Sequence, residues 1–374
     1  MVETHELSKR LVILKMNFQG KNLQSIWFEP ESGGVCIIDQ TKLPHQLKIN
    51  CLQSLDEVCY AIASMQVRGA PLIGVTAAYG IYLSLRSNVN SLNEALDTLS
   101  KTRPTAVNLK WALKRVQEFL AGEGVDNIVG KALEVAQLME KEDIAVCEAI
   151  GENGLPVLRG IWESKKNSQD VVNVLTHCNA GALAAVDWGT ALSVIYKAKL
   201  AGIPLHVWVD ETRPRNQGAA LTCWELAERG VANTLIVDNA GGHLMQTGKV
   251  DLCVVGSDRT SLSGDVCNKI GTYLKALAAN HNNIPFYVAL PVSTIDFSIL
   301  SGQEGFPIEE RDNREVSHMR GQTEQGKMET VRIALSQTAV SNYGFDITPA
   351  EFVTGLITEK GIFEASPESL SKLL

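Results

Sequence analysis

Between Val171 and Pro291 the apolar and polar positions repeat one pattern: a short apolar run, a cluster of polar and reactive residues, then a stretch at helical spacing. Val171 to Leu175 runs into His177-Cys178-Asn179, and Leu205 to Val209 into Asp210-Glu211-Thr212-Arg213. Leu235 to Val237 meets Asp238-Asn239, and Leu252 to Val255 meets Gly256-Ser257-Asp258-Arg259. Short apolar runs alternating with helical stretches predict an α/β fold with a parallel sheet and crossover helices. Ligands bind beyond the carboxyl ends of such strands. The pattern therefore gathers a thiol, several carboxylates and an arginine at one edge of the sheet.

The preceding part of the chain reads differently. Ser25 to Phe28 and Gly34 to Asp39 flank Pro30-Glu31-Ser32-Gly33, a hairpin signature within a short β-meander. Helical patterns then take over. Ser54 with Glu57 forms a capping box ahead of Val58, Ile62 and Met65 on one face. A second helix is expected from Pro71 to Leu85, and a third after Pro104 with Leu109, Leu113 and Val116 inward. Ile128 to Ile150 gives a long connecting helix. The expected division is a smaller, mostly helical domain over 1–150 and a catalytic domain over 151–374, with residues 151–170 leading into the latter. Glu304 to Gln325 reads as a charged surface loop suited to reach a partner subunit, and Lys327 to Ser336 as a further helix.

Composition narrows the function classes. The 374 residues are 45% hydrophobic and 20% charged, ordinary for a soluble protein. No apolar run approaches the roughly 20 residues needed to span a bilayer. The N-terminus carries Glu3, Glu6, Lys9 and Arg10 with only Leu11 to Leu14 apolar, which lacks a secretory core. Eight scattered cysteines without a C-x-x-C pair predict reduced thiols and a cytoplasmic location. A net charge of −8 argues against nucleic-acid binding. It does not forbid a phosphate ligand, because distant charge is screened beyond about 8 Å.

Several local arrangements carry chemistry. In Arg68-Gly69-Ala70-Pro71, small residues allow close backbone approach and proline suits a helix start, so free N–H groups and Arg68 favour an anion. The plainer alternative is a helix start with a solvated arginine; Arg103-Pro104-Thr105 repeats the choice. Cys178 stands at a strand tip with Gly181 opening a small-residue helix, where a thiol's pKa can be lowered. The other cysteines read as small buried hydrophobes. Asp258, in an apolar pocket, would keep its proton to higher pH; paired with Arg259, it would do the opposite. Gln217 can bind a sugar hydroxyl, and Asn268-Lys269 before a helix suit phosphate. No G-x-G-x-x-G follows a strand, so dinucleotide binding loses its main support; no Walker A run exists, and no His/Cys spacing suggests zinc.

Taken together, Arg68-Gly69-Ala70-Pro71, Thr176-His177-Cys178-Asn179-Ala180-Gly181, Glu211-Thr212-Arg213-Pro214 with Gln217-Gly218, Asp238-Asn239, Gly256-Ser257-Asp258-Arg259 and Gly264-Asp265-Val266 with Asn268-Lys269-Ile270-Gly271-Thr272-Tyr273 resemble the methylthioribose-1-phosphate isomerase family. That family shares a superfamily with regulatory subunits of the translation-initiation guanine nucleotide exchange factor. The resemblance runs from about Met16 to Gly361. It implies a homodimeric, metal-free aldose–ketose isomerase of methionine salvage with a Rossmann-like C-terminal domain. It also implies Cys178 and Asp258 as the catalytic pair, and Arg68, Gly69, Ala70, Arg103, Gln217, Asn268 and Lys269 as substrate-binding residues. Departures from the family pattern are Asp187-Trp188, Thr260 and Cys267. The alternatives are an isomerase of ribose 1,5-bisphosphate or of a 5-deoxy sugar phosphate, and a non-enzymatic translation-factor subunit.

Overall fold

The structure, a computed structural model, describes residues 16–18, 21–104 and 106–374. The charged N-terminal stretch from Glu3 to Leu14 and Thr105 lie outside the described residues. Two short strands, β1 (Met16–Phe18) and β2 (Lys21–Leu23), pair with each other. Strands β3 (Ile26–Glu29), β4 (Gly34–Ile38) and β5 (Ile49–Leu52) then form an antiparallel meander. The expected turn joins the first two of these, with Glu29 opposite Gly34. Cys36 and Cys51 face each other across β4 and β5 and are joined as a disulfide, against the expectation of eight reduced thiols. The pairing depends on the register of β5, which the sequence pattern did not reveal.

Helix α1 (Leu55–Ala63) starts as read: Ser54 Oγ accepts from the Glu57 N–H at 3.3 Å. Glu57 reaches the Gln53 N–H rather than that of Ser54. Helix α2 (Ala70–Ser87) is buried nearly all round, through Leu72, Val75, Ala78, Tyr79, Ile81 and Leu85 among others. A helix apolar on every face belongs at the centre of a core. It packs against α1, α3 (Leu92–Ser100), α4 (Val107–Phe119) and α5 (Ile128–Lys165). Helix α3 has no counterpart in the sequence reading.

Helix α5 spans 38 residues, about 57 Å at 1.5 Å per residue. It does not stop near Ile150. Its first half buries Val135, Ala136 and Met139 in the helical core, and its second half carries Ile150 and Leu158 onto the sheet. Glycines that resembled a linker are instead close-crossing points. A Cβ on Gly151 would stand 2.8 Å from Lys197 Cγ, and one on Gly154 would stand 2.5 Å from Val194 Cγ2, both on α6 (Ala191–Leu200).

The central sheet has seven strands. Those after the meander are β6 (Val172–Thr176), β7 (Leu205–Asp210), β8 (Asn233–Ile236) and β9 (Leu252–Val255), close to the apolar runs read above. Next come β10 (Arg259–Ser261), β11 (Val266–Lys269), β12 (Phe286–Ala289) and β13 (Ile295–Asp296). The chain ends with β14 (His318–Gln322), β15 (Met328–Arg332), β16 (Phe345–Thr348), β17 (Gly355–Thr358) and β18 (Gly361–Phe363). The seven-stranded order is β18-β17-β12-β9-β6-β7-β8, all parallel except β18.

Period-two alternation sends Val172 and Val174 to one face, with α5 and α6, and Leu175 to the other. That second face holds α7 (Ala240–Gln246) and α8 (Thr272–His281) through Leu244, Met245, Ala276 and Ala279. From β6 the chain builds outward through β7 and β8, then returns to the other side with β9. The direction reverses between β6 and β9, and the crevice such a reversal opens at the strand ends is where ligands bind in α/β sheets.

A second sheet, β13-β10-β11-β16, caps this end. The expected helix at Lys327–Ser336 is instead β15, paired with β14; Gly326, at φ 81°, makes the turn. Residues 302–317 also contain two helical turns, Gly302–Gly305 and Arg314–Ser317, rather than loop alone.

Candidate active site

Cys178 lies two residues beyond β6 and Asp258 three beyond β9, at the reversal point. Both line one narrow cleft with Arg68, Gly69, Ala70 and Asn268. Cys178 is 8% exposed, and its backbone is left-handed at φ 67°. Two hydroxyls pin that conformation: the Cys178 N–H donates to Thr212 Oγ1 at 2.8 Å, and Thr222 Oγ1 donates to the Cys178 carbonyl at 2.7 Å. Thr212 is itself left-handed (φ 65°), which is strained for a β-branched residue. Its N–H is held by Asp238 Oδ1 at 2.7 Å.

The thiol does not sit at a helix start. Gly181 leads into a three-residue 3₁₀ turn, Ala182–Ala184, and α6 begins only at Ala191. Burial instead pushes the Cys178 thiol above its ordinary 9.0, and Asp258 adds to this. Arg68 and Lys269 pull it back. The expected lowering is thus corrected: the cations only moderate a rise.

Asp258 behaves as the apolar-pocket reading requires. Burial raises its carboxyl above the ordinary 3.8, while Lys269, Arg68 and Arg103 oppose the rise. Arg259 does not pair with it. That guanidinium reaches Asp296 at 2.5 and 3.2 Å and lies 4.9 Å over the Phe306 ring.

The cationic residues come from several elements. Arg68 donates to Asn179 Oδ1 at 2.5 Å and to the Asn179 carbonyl at 2.7 Å. Gly69, the cap of α2, has φ 95°, and a Cβ there would stand 2.5 Å from Ala184 Cα, so only glycine lets the two loops touch. Lys269 donates to the Gly344 carbonyl at 2.8 Å and lies 4.4 Å over the Phe345 ring; burial lowers its pKa from 10.5. Asn268 donates to Thr272 Oγ1 at 3.0 Å.

Arg103 does not line the cleft, but its charge reaches Asp258. Its Nε is buried without a partner among the described residues. Gln217 lines not this cleft but an adjoining cavity of about 410 Å³, whose wall also includes Arg68 and Met65. Its Oε1 is likewise buried without a partner.

Sequence reading missed the support beneath Asn179. Glu225, fully buried, accepts from Asn179 Nδ2 at 2.9 Å and from the backbone N–H groups of Ala182 and Leu183 at 2.8 and 3.0 Å. Tyr196 and Arg229 complete its shell at 3.2 and 3.3 Å. Asp187, one of the departures from the family pattern, pairs with Arg229 at 3.1 Å.

His177, Asp210 and Asp238 bring ligand atoms within 4.8 Å of one another. Most of their bonds are made within the protein, although Asp210 Oδ1 is buried without a hydrogen-bond partner among the described residues. His177 uses both ring nitrogens, on Asp210 and on the Ile270 carbonyl at 2.8 Å each. Lys275 stands 3.3 Å from Asp210, and Asp238 accepts from the Thr212 and Arg213 N–H groups.

The chain was compared with known proteins. Residues 66–365 match the initiation factor 2 subunit family. Among curated relatives, a methylthioribose-1-phosphate isomerase from Methylobacterium nodulans is 54% identical over 360 residues, covering 96% of this chain and 98% of that protein. One from Escherichia coli is also 54% identical, covering 96% of each. Among solved structures, 5-methylthioribose 1-phosphate isomerase from Pyrococcus horikoshii is 36% identical with a TM-score of 0.81, covering 94% of this chain and 96% of that one. The delta subunit of the translation initiation factor eIF-2B from A. fulgidus is 40% identical with a TM-score of 0.77, covering 94% and 99%. Among the described residues no helix is long and apolar enough to cross a membrane. Identity above one half across nearly the whole length, together with a thiol and an acid in one cleft, places the chain in the initiation factor 2 subunit family and, within it, among the methylthioribose-1-phosphate isomerases.

Proposed function

We propose that this chain converts 5-methylthio-α-D-ribose 1-phosphate into 5-methylthio-D-ribulose 1-phosphate, a step of methionine salvage. The observation that carries the reading is the single cleft holding Cys178, Asp258 and the Arg68-Gly69-Ala70 helix start. A phosphate at C1 locks the sugar as a cyclic acetal, so the ring must be opened before hydrogen moves. Asp258, whose carboxyl burial pushes toward the protonated form, delivers its proton to the ring oxygen as that oxygen's bond to C1 breaks. Cys178, as the thiolate that Arg68 and Lys269 favour against the rise burial imposes, then removes the C2 proton to give an enol phosphate. The thiol, its hydrogen exchanged with water, protonates C1 while the C2 hydroxyl gives its own proton to Asp258 and becomes the ketone.

Arg68, the N–H groups at Gly69 and Ala70, Arg103, Asn268 and Lys269 hold the phosphate, and Gln217 a sugar hydroxyl. Leu43, Met65 and Leu221 in the adjoining cavity offer the methylthio tail an apolar wall. A cytoplasmic homodimer, divided into domains 1–150 and 151–374 with the second Rossmann-like, belongs to the same proposal.

The decisive assay is ketose formation from methylthioribose 1-phosphate by the purified chain. With C2-deuterated substrate the proton route loses label to water; complete retention at C1 would replace it with a hydride shift. A second reading has a specific motive, since Arg215, Arg314 and Arg320 also line the adjoining cavity and could take a second phosphate. Turnover of ribose 1,5-bisphosphate and a 5-deoxyribose 1-phosphate alongside separates these substrates. No turnover of any, with co-purification in a larger assembly, would point to the translation-factor role.

A further inference from the structure

Glu309 is an anomaly in this neighbourhood: a carboxylate among cations that the reading above assigns to a phosphate. We infer that Glu309 is a positioning residue of the isomerase, holding Arg103 in place and releasing it to the substrate phosphate. The inference rests on that functional reading and adds to it a residue that neither the sequence motifs nor the resemblance includes.

Three observations carry it. First, Arg103 Nη2 stands 3.7 Å from Glu309 Oε2, a loose contact, while Arg103 Nε is buried with no acceptor among the described residues. A buried guanidinium nitrogen lacking an acceptor calls for another anion. Second, Glu309 is not required to neutralise Arg311. Arg311 donates to Glu309 at 2.7 Å, but it also donates twice to Glu315, at 3.0 and 3.1 Å. Glu315 in turn takes Arg215 at 2.8 Å and Asn342 at 3.0 Å, tying the segment to the strand-tip loop after β7. Third, the backbone of Glu309 is joined to the site. Its carbonyl accepts from the Gly344 N–H at 2.8 Å, and the Gly344 carbonyl accepts from Lys269 Nζ at 2.8 Å.

Glu309 also acts on the acid. Its negative charge raises the Asp258 carboxyl, against the lowering by Lys269, Arg68 and Arg103. As phosphate draws Arg103 toward itself, Glu309 remains to favour the protonated form of Asp258.

The test uses the full chain and inorganic phosphate as the probe, with binding followed by calorimetry and turnover by ketose formation. Glu309→Gln removes the competing charge, so phosphate should bind about fivefold tighter, the upper end for a partly exposed ion pair. The alkaline limb of kcat should move to lower pH, with KM falling as kcat falls. Glu309→Asp keeps the charge but shortens its reach, so it should also tighten phosphate binding while leaving the limb in place. Unchanged phosphate affinity in either variant overturns the proposal. So does a uniform loss of kcat with an unmoved limb, which marks a merely structural role. Should Glu309→Gln fail to fold, Glu309→Asp still decides through phosphate binding. If the wild-type chain turns over no methylthioribose 1-phosphate, the functional reading falls, yet the calorimetry still judges the Arg103–Glu309 exchange.

Discussion

Replacing Glu225 by Gln should destabilise the chain severely and weaken phosphate binding without touching any group that meets the substrate. The native carboxylate accepts from Asn179 Nδ2, two backbone N–H groups, Tyr196 and Arg229, all at 2.8–3.3 Å and out of water. An amide keeps one acceptor oxygen and turns an NH₂ toward groups that are themselves donors. Each hydrogen bond lost to a charged partner costs about 1.5–3 kcal/mol, and removing one member of a buried ion pair costs about 3–5 kcal/mol. These costs overlap, so the expected loss is about 4 kcal/mol. At roughly 2 °C per kcal/mol for a large chain, Tm should fall by about 8 °C. Urea titration gives the free energy and calorimetry the phosphate affinity, which should drop because Asn179 no longer fixes Arg68. A loss under about 1 kcal/mol, the worth of one ordinary hydrogen bond, would refute the view that Glu225 anchors this loop.

Four further outcomes follow from the same geometry. Cys178→Ser should fold normally and lose most turnover, measured as ketose formed; full activity would remove the thiol from the mechanism. Asp258→Asn should also lose turnover yet gain stability at neutral pH. A carboxyl raised by burial binds its proton more tightly when folded, so it costs stability as pH rises through its ordinary 3.8 and up to the folded value; equal pH dependence of wild-type and variant unfolding would contradict this. Gly69→Ala must place a Cβ 2.5 Å from Ala184 Cα at φ 95°, so phosphate binding should weaken at least roughly tenfold, about 1.4 kcal/mol. Arg68→Lys keeps the charge but cannot reproduce the fork on Asn179, and KM should rise more than kcat falls.

The strands, and the gathering of Cys178 and Asp258 at one edge of the sheet, were legible because burial on both faces makes short apolar runs, and the polar residue ending each run marks a strand tip. The start of α2 was legible for a similar reason: Gly69 and Pro71 are demanded by local backbone geometry. What escaped depended on distant partners. Glu225 lies beside Leu226 in a short helix and reads as an ordinary surface charge, yet the loop after β6 buries it. Residues 151–165 looked like a linker because the helix they extend needs glycine where α6 crosses it. The Cys36–Cys51 disulfide requires knowing which residues of β4 and β5 are opposed. Around Lys327, alternation of Met328, Thr330 and Arg332 with Glu329 and Val331 was the available signal for a strand, and charge content obscured it.

The two residues proposed to react follow β6 and β9, which are hydrogen-bonded neighbours although 80 positions separate Cys178 from Asp258 in the sequence. Backbone pairing, spaced at about 4.8 Å, therefore sets the strand ends from which the two short loops leave. Loop exchanges at the rim can alter what enters, but they leave that ruler intact. Cutting the chain anywhere between those strands would put the proposed acid and the proposed thiol on different fragments, and only reassembly of the sheet's middle could bring the two together again.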